Sequence, residues 1–318
     1  SSAAPLGISV KSVINSINPF SWLRTAKAIL NERPDLIIVR FWIPFMGPAL
    51  GTICKLIKRS SNVRIIGLLD NVIPHEKRFG DHAFTEYFLD KCDSFAVMSS
   101  SVMNELGQFD SNKPRKLLYH PIYHHFGEQV TRAEAREKLA LPQDAKILLF
   151  FGIVRPYKGL DILLEAMAKV NGVASLKLIV AGEFYEDRDK YDRLIQQLGL
   201  SDKVIIHDGF VAQEDVRHYF SAADMVAQTY RSATQSGVTQ IAYHFGTPML
   251  VTNVGGLSEL VPHGKVGYVC KVSPDDVANA IVDFFENDRY AIFQKNIGME
   301  KHRFSWEFFA KELLFQEN

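Results

Sequence analysis

The sequence predicts an α/β protein whose parallel sheets are covered by helices. Short apolar runs alternate with helical stretches along most of the 318 residues, which is typical of parallel strands joined by helical crossovers. In residues 159–170, for example, the apolar side chains recur at helical spacing. The alternating pattern occurs twice, and the chain is long enough for two domains that each bury their own core.

The first half contains four predicted strands. They lie at residues 34–42, 63–70, 94–100 and 116–121, and helices are predicted at 51–58 and 84–91. This half does not begin with the strand and glycine-rich turn that normally open a nucleotide-binding fold. We therefore expect either a shortened domain or an N-terminal segment that precedes residue 1, and we favour the second.

The second half has the pattern of a complete doubly wound unit. Strands are predicted at residues 146–152, 176–182, 203–210, 224–230, 248–252 and 267–272. Helices are predicted at 159–170, 189–200, 213–223 and 275–288, and another begins near Gly237. A charged helical segment at 131–141 joins the two halves, so we expect a domain boundary between residues 127 and 144.

Composition and charge limit the classes of function. Apolar residues make up 47% of the chain and charged residues 23%, as in a soluble globular protein. Lys+Arg and Asp+Glu both number 36, so net charge gives no reason to expect a nucleic-acid partner. No apolar run reaches the roughly 18 residues that a transmembrane helix needs. We expect a cytoplasmic protein, and peripheral contact with the inner face of a membrane stays open.

The cysteines and histidines do not predict a metal site. Cys54, Cys92 and Cys270 are far apart and form no CxxC pair, which favours reduced thiols in a cytosol. Residues 119–127 contain three histidines without a carboxylate or cysteine in register with them. Zinc is therefore not expected.

Two turns at strand ends have residues that suit a diphosphate. In residues 150–161, Gly152 ends a strand, and Arg155 and Lys158 follow before a helix. A guanidinium fork and an ammonium can neutralise and orient phosphates, although the turn alone is equally consistent with a solvated basic loop. In residues 230–239, small polar residues open onto a helix whose N–H groups and dipole favour an anion. Strand ends of such sheets share one crevice, so we expect the two turns to meet.

Other polar residues are weaker candidates. Asp70, His75 and Glu76 follow a strand of the first half, where catalytic residues of such folds collect, and a His there could act as general base. Glu259 follows the glycine turn at 254–256 and could hydrogen-bond a ligand hydroxyl or pair locally. Spacing alone does not separate these two roles.

Together these motifs resemble those of retaining glycosyltransferases of the GT4 type, which have two Rossmann-like domains in the GT-B fold. The resemblance begins near Pro34 and rests on FFGIVRPYKGLDILLEA, LIVAGEF, VIIHDGFV, YFSAADMVAQTYRSATQSG, FGTPMLVTNVGGLSELV and the tail FSWEFFAKEL. It implies an acceptor-side domain at 1–130 and a donor-binding domain at 131–300 that face each other across a cleft. It also implies a C-terminal helix at 301–318 that returns to the first domain.

The resemblance implies retaining transfer of a sugar from a nucleotide-diphosphate sugar to a glycan or lipid-linked acceptor, as in polysaccharide biosynthesis. It assigns the diphosphate to Gly152, Arg155 and Lys158, and the base to Phe210 and Val211. It assigns phosphate and sugar to the backbone of Gln235, Ser236, Gly237, Val238 and Thr239, with Gln240 and Glu259 as further candidates for sugar contact. The loop Asp70–His75 would face the transferred sugar and the acceptor, and no metal or other cofactor is expected.

Several positions depart from the pattern of the family. Its two Glu residues, eight apart, fall near Ala233 or Thr234 and near Ile241 or Ala242, with Gln235 and Gln240 as nearby polar replacements. Its first-domain His aligns with Leu69, and its phosphate-loop Arg aligns with Ile153, for which Arg155 could substitute.

These departures leave alternatives open. The missing Glu pair is compatible with a catalytically inactive protein that binds nucleotide sugars or acts as a scaffold, although Arg155 and Lys158 are retained. A GT-B sugar epimerase is a third hypothesis, and it would carry a different carboxylate set in the first domain. Phosphorylases of this fold are larger and need a pyridoxal-phosphate lysine, so we set them aside.

Overall fold

The computed structural model describes residues 7–73, 78–123, 125–233 and 236–314. Within these ranges the chain forms two compact units. The first contains the described residues up to Leu118 and again from Glu312, and the second extends from Tyr119 to Lys311. Each unit has a parallel sheet with helices, which confirms the predicted α/β class. The domain boundaries predicted at residues 130 and 300 stay predictions.

The first unit contains a four-stranded parallel sheet whose strands neighbour one another in chain order. The strands are β1 (Leu36–Phe41), β2 (Arg64–Leu69), β3 (Ser94–Val97) and β4 (Arg115–Leu117). The helices are α1 (Pro19–Glu32), α2 (Gly47–Ser60), α3 (Asp81–Leu89) and α4 (Ser100–Leu106). Strand and helix side chains share one apolar core, in which Phe41 stacks on Phe88 with ring centroids 4.7 Å apart.

The second unit contains a six-stranded parallel sheet. Its strands are β5 (Lys146–Phe151), β6 (Leu176–Gly182), β7 (Val204–Asp208), β8 (Met225–Gln228), β9 (Met249–Thr252) and β10 (Gly267–Cys270). Its helices are α5 (Arg132–Lys138), α6 (Leu160–Lys169), α7 (Arg188–Gln197), α8 (Val216–Ala222), α9 (Gly237–Phe245), α10 (Leu257–Leu260), α11 (Pro274–Glu286) and α12 (Tyr290–Glu300). The strand order is β10-β9-β8-β5-β6-β7, so the direction of winding reverses between β5 and β8.

The last described helix, α13 (Trp306–Leu314), extends into the part of the chain that belongs to the first unit. There Glu312 forms an ion pair with Lys116. The expectation that a C-terminal helix at 301–318 returns to the first domain stays a prediction. No helix among the described residues combines the length and the apolar character that crossing a membrane requires.

The sequence pattern misses α1, α4, α10 and α12. Helix α1 had a recognisable start signal, because the Asn18 side chain accepts the Phe20 N–H at 3.0 Å and Pro19 occupies the first turn. Helix α4 begins where the third strand was predicted to continue. Strand β3 ends at Val97, and the Ser99 hydroxyl caps the helix by accepting the Val102 N–H at 3.3 Å.

A buried ion pair attaches α5 to the sheet of the second unit. Asp224, just before β8, accepts the Ile147 N–H at 2.7 Å and an Arg136 guanidinium N–H at 3.1 Å. Arg136 is only 3% exposed and also donates to the Ala222 carbonyl at 3.2 Å. Arg132 approaches the second Asp224 oxygen at 2.9 Å. The pair is therefore fully hydrogen-bonded, as burial of two charges requires.

We expect Asp224→Ala to lower the free energy of unfolding by about 3–5 kcal/mol, because it leaves the Arg136 charge buried without its carboxylate. Urea titration followed by circular dichroism measures the change. The matched control is Asp275→Ala, which removes a largely exposed carboxylate that pairs with Lys169 at 2.6 Å. Equal stability losses in the two variants would contradict a structural role for Asp224.

Candidate functional site

The reversal of winding between β5 and β8 determines where the second unit can bind a ligand. At such a point the connections from neighbouring strands leave toward opposite faces and uncover the carboxyl ends of the strands. The two segments that follow these strands are residues 152–159 and 229–236, of which 234 and 235 lie outside the described residues. The turns that the sequence predicts as a diphosphate site therefore occupy neighbouring strand ends.

Glycines line the ends of the three neighbouring strands β5, β6 and β7. Gly152 has a φ of +91°, and a Cβ on Gly182 would lie 2.3 Å from the Gly152 carbonyl oxygen. The Gly209 N–H reaches toward the Gly182 carbonyl at 3.5 Å, with a φ of +127°. Side chains at these positions would clash with or strain the backbone. Glycine is therefore favoured at these strand ends by the backbone conformation, and at Gly182 also by the close approach of Gly152.

Lys158 places its ammonium against Gly152. A Cβ on Gly152 would lie 3.2 Å from the Lys158 Nζ and 3.9 Å from the Val238 Cγ2. Lys158 is 9% exposed, and its Nζ lies 5.6 Å from the centroid of the Tyr230 ring. No carboxylate in the described ranges lies within 4.0 Å of this Nζ. Burial, and then the Arg155 charge, lower the pKa of Lys158 to about 8.

Helix α9 begins beside this ammonium. Ser236 caps the helix, since its hydroxyl accepts the Val238 N–H at 3.3 Å and lies 3.2 Å from the Tyr230 hydroxyl. The Ser236 carbonyl accepts the Thr239 N–H at 3.2 Å, so the amides of Val238 and Thr239 already have acceptors. The helix dipole and Lys158 still give this end of the crevice a positive potential. The predicted role of residues 235–239 stays a prediction, and Gln235 lies outside the described residues.

The side chains of Thr239 and Gln240 point into the protein. The Thr239 hydroxyl and the Gln228 amide exchange hydrogen bonds at 3.1 Å between α9 and β8. Gln240 is 2% exposed, and its Oε1 has no hydrogen-bond partner among the described residues. The Thr239 hydroxyl is therefore engaged within the protein, and a role for Thr239 at the donor site stays a prediction.

Arg155 and Phe210 are exposed and follow the ends of β5 and β7. The Arg155 guanidinium stacks over the Tyr185 ring at 4.8 Å and is close enough to Lys158 to lower its pKa. Phe210 is 86% exposed beyond the end of β7, and Val211 beside it is half-buried. An exposed aromatic ring is suited to stacking on a base, and this role stays a prediction.

Glu259 pairs within the protein. The Tyr119 hydroxyl hydrogen-bonds to the Glu259 side chain, which contributes to a raised Tyr119 pKa after the larger effect of burial. The Glu259 carbonyl accepts an Arg303 N–H at 3.0 Å. Of the two roles that spacing left open, the structure supports local pairing, and sugar contact stays a prediction.

In the first unit, Asp70 follows β2 as predicted. Its Oδ2 accepts the Arg40 Nε–H at 2.8 Å, and its Oδ1 is buried with no partner among the described residues. His75 lies outside the described residues. The catalytic roles predicted for Asp70 and His75 therefore stay predictions.

Comparison with known proteins identifies the family. The family described as Glycosyl transferases group 1 matches residues 131–301, more than half of the chain. The chain belongs to this family. A D-inositol 3-phosphate glycosyltransferase from Nocardioides sp. is 31% identical to this chain over 199 residues. The enzyme of the same name from Corynebacterium glutamicum is 27% identical to it over 242 residues. The alignments cover 58% and 72% of this chain but 43% and 57% of the relatives, so the chain spans about half the length of these relatives.

Solved structures extend the likeness to both units. HepE from Anabaena, in complex with UDP, aligns with 92% of this chain and 80% of its own at a TM-score of 0.76 and 19% identity. Sucrose-phosphate synthase from Thermosynechococcus elongatus aligns with 92% and 76%, respectively, at a TM-score of 0.69 and 20% identity. Identities this low show the fold alone. They confirm the predicted GT-B class with two Rossmann-like domains.

This member of the glycosyl transferases group 1 family places apolar residues at one of the expected Glu positions. Ile241 and Ala242 are buried on α9 and pack into the apolar core. A carboxylate there would lose its hydration without gaining a partner. At the other position, Ala233 is partly buried against the same core, and Thr234 lies outside the described residues.

Sequence reasoning missed Tyr230 and Arg231 as site residues. Tyr230 supports the Lys158 ammonium and hydrogen-bonds to the cap of α9, whereas Arg231 pairs with Asp161 at 2.6 Å. The available signal was their position just after a buried strand, at the start of a segment already predicted to bind a ligand. Their roles depend on the direction in which the two side chains point, and the spacing of residues in the sequence does not reveal that direction.

We expect Lys158→Met in this glycosyltransferase-family protein to leave the melting temperature unchanged or to raise it. The lowered pKa of Lys158 means that burial disfavours its charged form, so an apolar side chain of similar length removes a desolvation cost. Differential scanning calorimetry measures the change. Lys169→Met, which removes an exposed ammonium that pairs with Asp275, is the control. A marked fall in the melting temperature of Lys158→Met alone would show that the ammonium stabilises the fold.

Proposed function

We propose that this protein transfers a sugar, with retention of configuration, from a nucleoside diphosphate sugar to a glycan or lipid-linked acceptor. The observation that carries the proposal is the buried Lys158 ammonium. It lies beside Gly152 and the start of α9 with no carboxylate nearby in the described ranges. A cation that is buried without an anion costs stability, and such groups cluster at functional sites.

The chemistry of this arrangement suits a diphosphate leaving group. In the proposed reaction, the bond between the anomeric carbon and the β-phosphate oxygen breaks, and that carbon bonds to the acceptor oxygen on the same face. The acceptor proton passes to the departing diphosphate. Lys158 and Arg155 stabilise the negative charge that develops there, and this electrostatic contribution is the main one. The proposal requires neither a protein nucleophile nor a metal ion.

UDP is the first nucleotide to test, because HepE, which is similar in fold, was solved in complex with UDP. The first domain of such folds builds most of the acceptor site, and its loop at 74–77 lies outside the described residues. Contact with the inner face of a membrane would bring the enzyme to a lipid-linked acceptor and forms part of this proposal.

We expect UDP to bind the wild-type protein and to lose about 10- to 100-fold in affinity in Lys158→Met, since a hydrogen bond to a charged group contributes about 1.5–3 kcal/mol. Isothermal titration calorimetry measures the affinity for UDP, and repeating it between pH 7 and 9.5 measures how that affinity depends on pH. Because the ammonium binds the diphosphate and the pKa of Lys158 is about 8, wild-type affinity should fall as the pH rises through 8. Lys158→Met should show no such fall.

The same titrations on Lys169→Met provide the control, because this lysine is exposed on α6 and pairs with Asp275. Its affinity and pH profile should match those of the wild type. If Lys158→Met binds UDP as tightly as the wild type at pH 7, the donor site is not where we propose it.

Binding without transfer is the second candidate function. The observation that favours it is the apolar burial of Ile241 and Ala242, where family members usually have a carboxylate.

We expect the wild type to transfer the sugar of a bound UDP-sugar, or to hydrolyse the UDP-sugar slowly. The sugar product should have the donor's anomeric configuration when it is first released. Proton NMR of the nascent sugar measures this. Tight UDP-sugar binding with no turnover would favour the binding protein, and an inverted product would contradict retention.

A further inference from the structure

Arg231 makes a two-pronged contact with the start of α6. Its Nη1 donates to Asp161 Oδ1 at 2.8 Å, and its Nη2 donates to Asp161 Oδ2 at 2.6 Å. The Nη1 also donates to the Pro156 carbonyl at 2.9 Å. The planar guanidinium therefore connects Pro156, within the loop, to the first turn of the helix. Lysine could not reproduce this fork.

Backbone groups around Arg231 reinforce the contact. The Arg231 N–H donates to the Tyr157 carbonyl at 2.7 Å. The Thr229 hydroxyl donates to the Gly159 carbonyl at 2.8 Å. The carbonyls of residues 156, 157 and 159 are thus all held by the segment that follows β8. Lys158 lies between them in the chain.

The side chain of Tyr230 completes the arrangement. Its ring lies under the Lys158 ammonium at 5.6 Å and meets the Tyr157 ring edge-on at 5.9 Å. Residues 229, 230 and 231 thus each contact a different part of the same loop. We infer that Arg231 is a positioning residue that holds Lys158 at the diphosphate site, an inference that rests on the function proposed above.

Lys158 needs a rigid loop to keep its ammonium buried, because burial is unfavourable for the charge. Among the described residues it has no carboxylate within 4.0 Å, and the Arg155 charge repels it. A four-carbon side chain on a mobile loop would turn to water, where an ammonium is better solvated. The Arg231 fork removes that freedom before a ligand arrives, which lowers the entropic cost of binding.

The competing explanation is that Arg231 only caps α6. Asp161 lies in the first turn of that helix, where a carboxylate is favourable, and an exposed ion pair of this kind contributes little to stability. A merely structural role would leave the protonation of Lys158 unchanged. A positioning role would not, because a released Lys158 becomes hydrated.

The test measures the titration of Lys158 without any ligand. Competitive acetylation across pH 6–11, with mass spectrometry of the peptide that contains Lys158, gives its protonation midpoint in the folded protein. We expect a wild-type midpoint near the pKa of about 8 and a shift of at least one pH unit upward in Arg231→Ala. Arg231→Lys, which keeps the charge but loses the fork, should shift the midpoint partway.

Arg289→Ala is the matched control, since Arg289 is 43% exposed, against 42% for Arg231, and pairs with Asp283 away from the loop. Its Lys158 midpoint should equal that of the wild type. An unchanged midpoint in both folded Arg231 variants would overturn the inference. If Arg231→Ala does not fold, Arg231→Lys and Asp161→Asn decide the matter by the same measurement.

A second readout separates this inference from the proposed function. In UDP titrations at pH 7, Arg231→Ala should lose about tenfold in affinity, and the alkaline fall in affinity should move to higher pH. If the wild type does not bind UDP while the midpoint still shifts in Arg231→Ala, the positioning of Lys158 stands and the proposed ligand is wrong. If UDP binds with the same affinity and pH profile in both proteins, Arg231 does not position Lys158 for a ligand.

Discussion

The reversal of winding between β5 and β8 is the constraint on which the candidate site depends. The connections after β5 and β8 lead in opposite directions along the sheet, and α6 and α9 pack into different apolar cores, so neither helix covers the strand ends between them. Lys158 and Ser236 are far apart in the sequence, but each lies in a short loop that follows one of these two strands, Lys158 after β5 and Ser236 after β8. Tyr230 joins them by contacting both.

The second unit contains two buried cations that illustrate different uses of charge. Arg136 has a carboxylate and backbone carbonyls as partners, so its burial attaches α5 to the sheet. Lys158 is almost as buried but rests on an aromatic ring beside bare glycine backbone. In the first arrangement each guanidinium nitrogen donates to a protein acceptor, whereas the Lys158 ammonium has no carboxylate within 4.0 Å among the described residues. A structural role accounts for the burial of Arg136, and the donor site proposed above would account for the burial of Lys158.

The sequence predicted the sheets and the loops better than the contacts between loops. Apolar alternation located β5, β8 and the start of α9 because strand and helix periods are properties of neighbouring residues. The same reasoning missed α1, although Asn18 and Pro19 signalled its start. It also could not foresee that Thr239 turns inward to Gln228, or that Arg231 reaches back to Asp161. Those contacts depend on which strands lie side by side, and the strand order is a property of the whole domain.

The same distinction explains why the two ends of the proposed donor site differ in how closely they follow the family. The proposed phosphate end is formed by glycines and by a cation that neighbouring loops hold, so it depends on the topology of the sheet. The sugar end depends on single side chains along α9. There Ile241 and Ala242 fill the core, and the buried Gln240 Oε1 has no partner within the described ranges. An apolar residue in place of a carboxylate keeps α9 packed and the phosphate end intact. In the proposed donor site, recognition of the sugar would then depend on other groups.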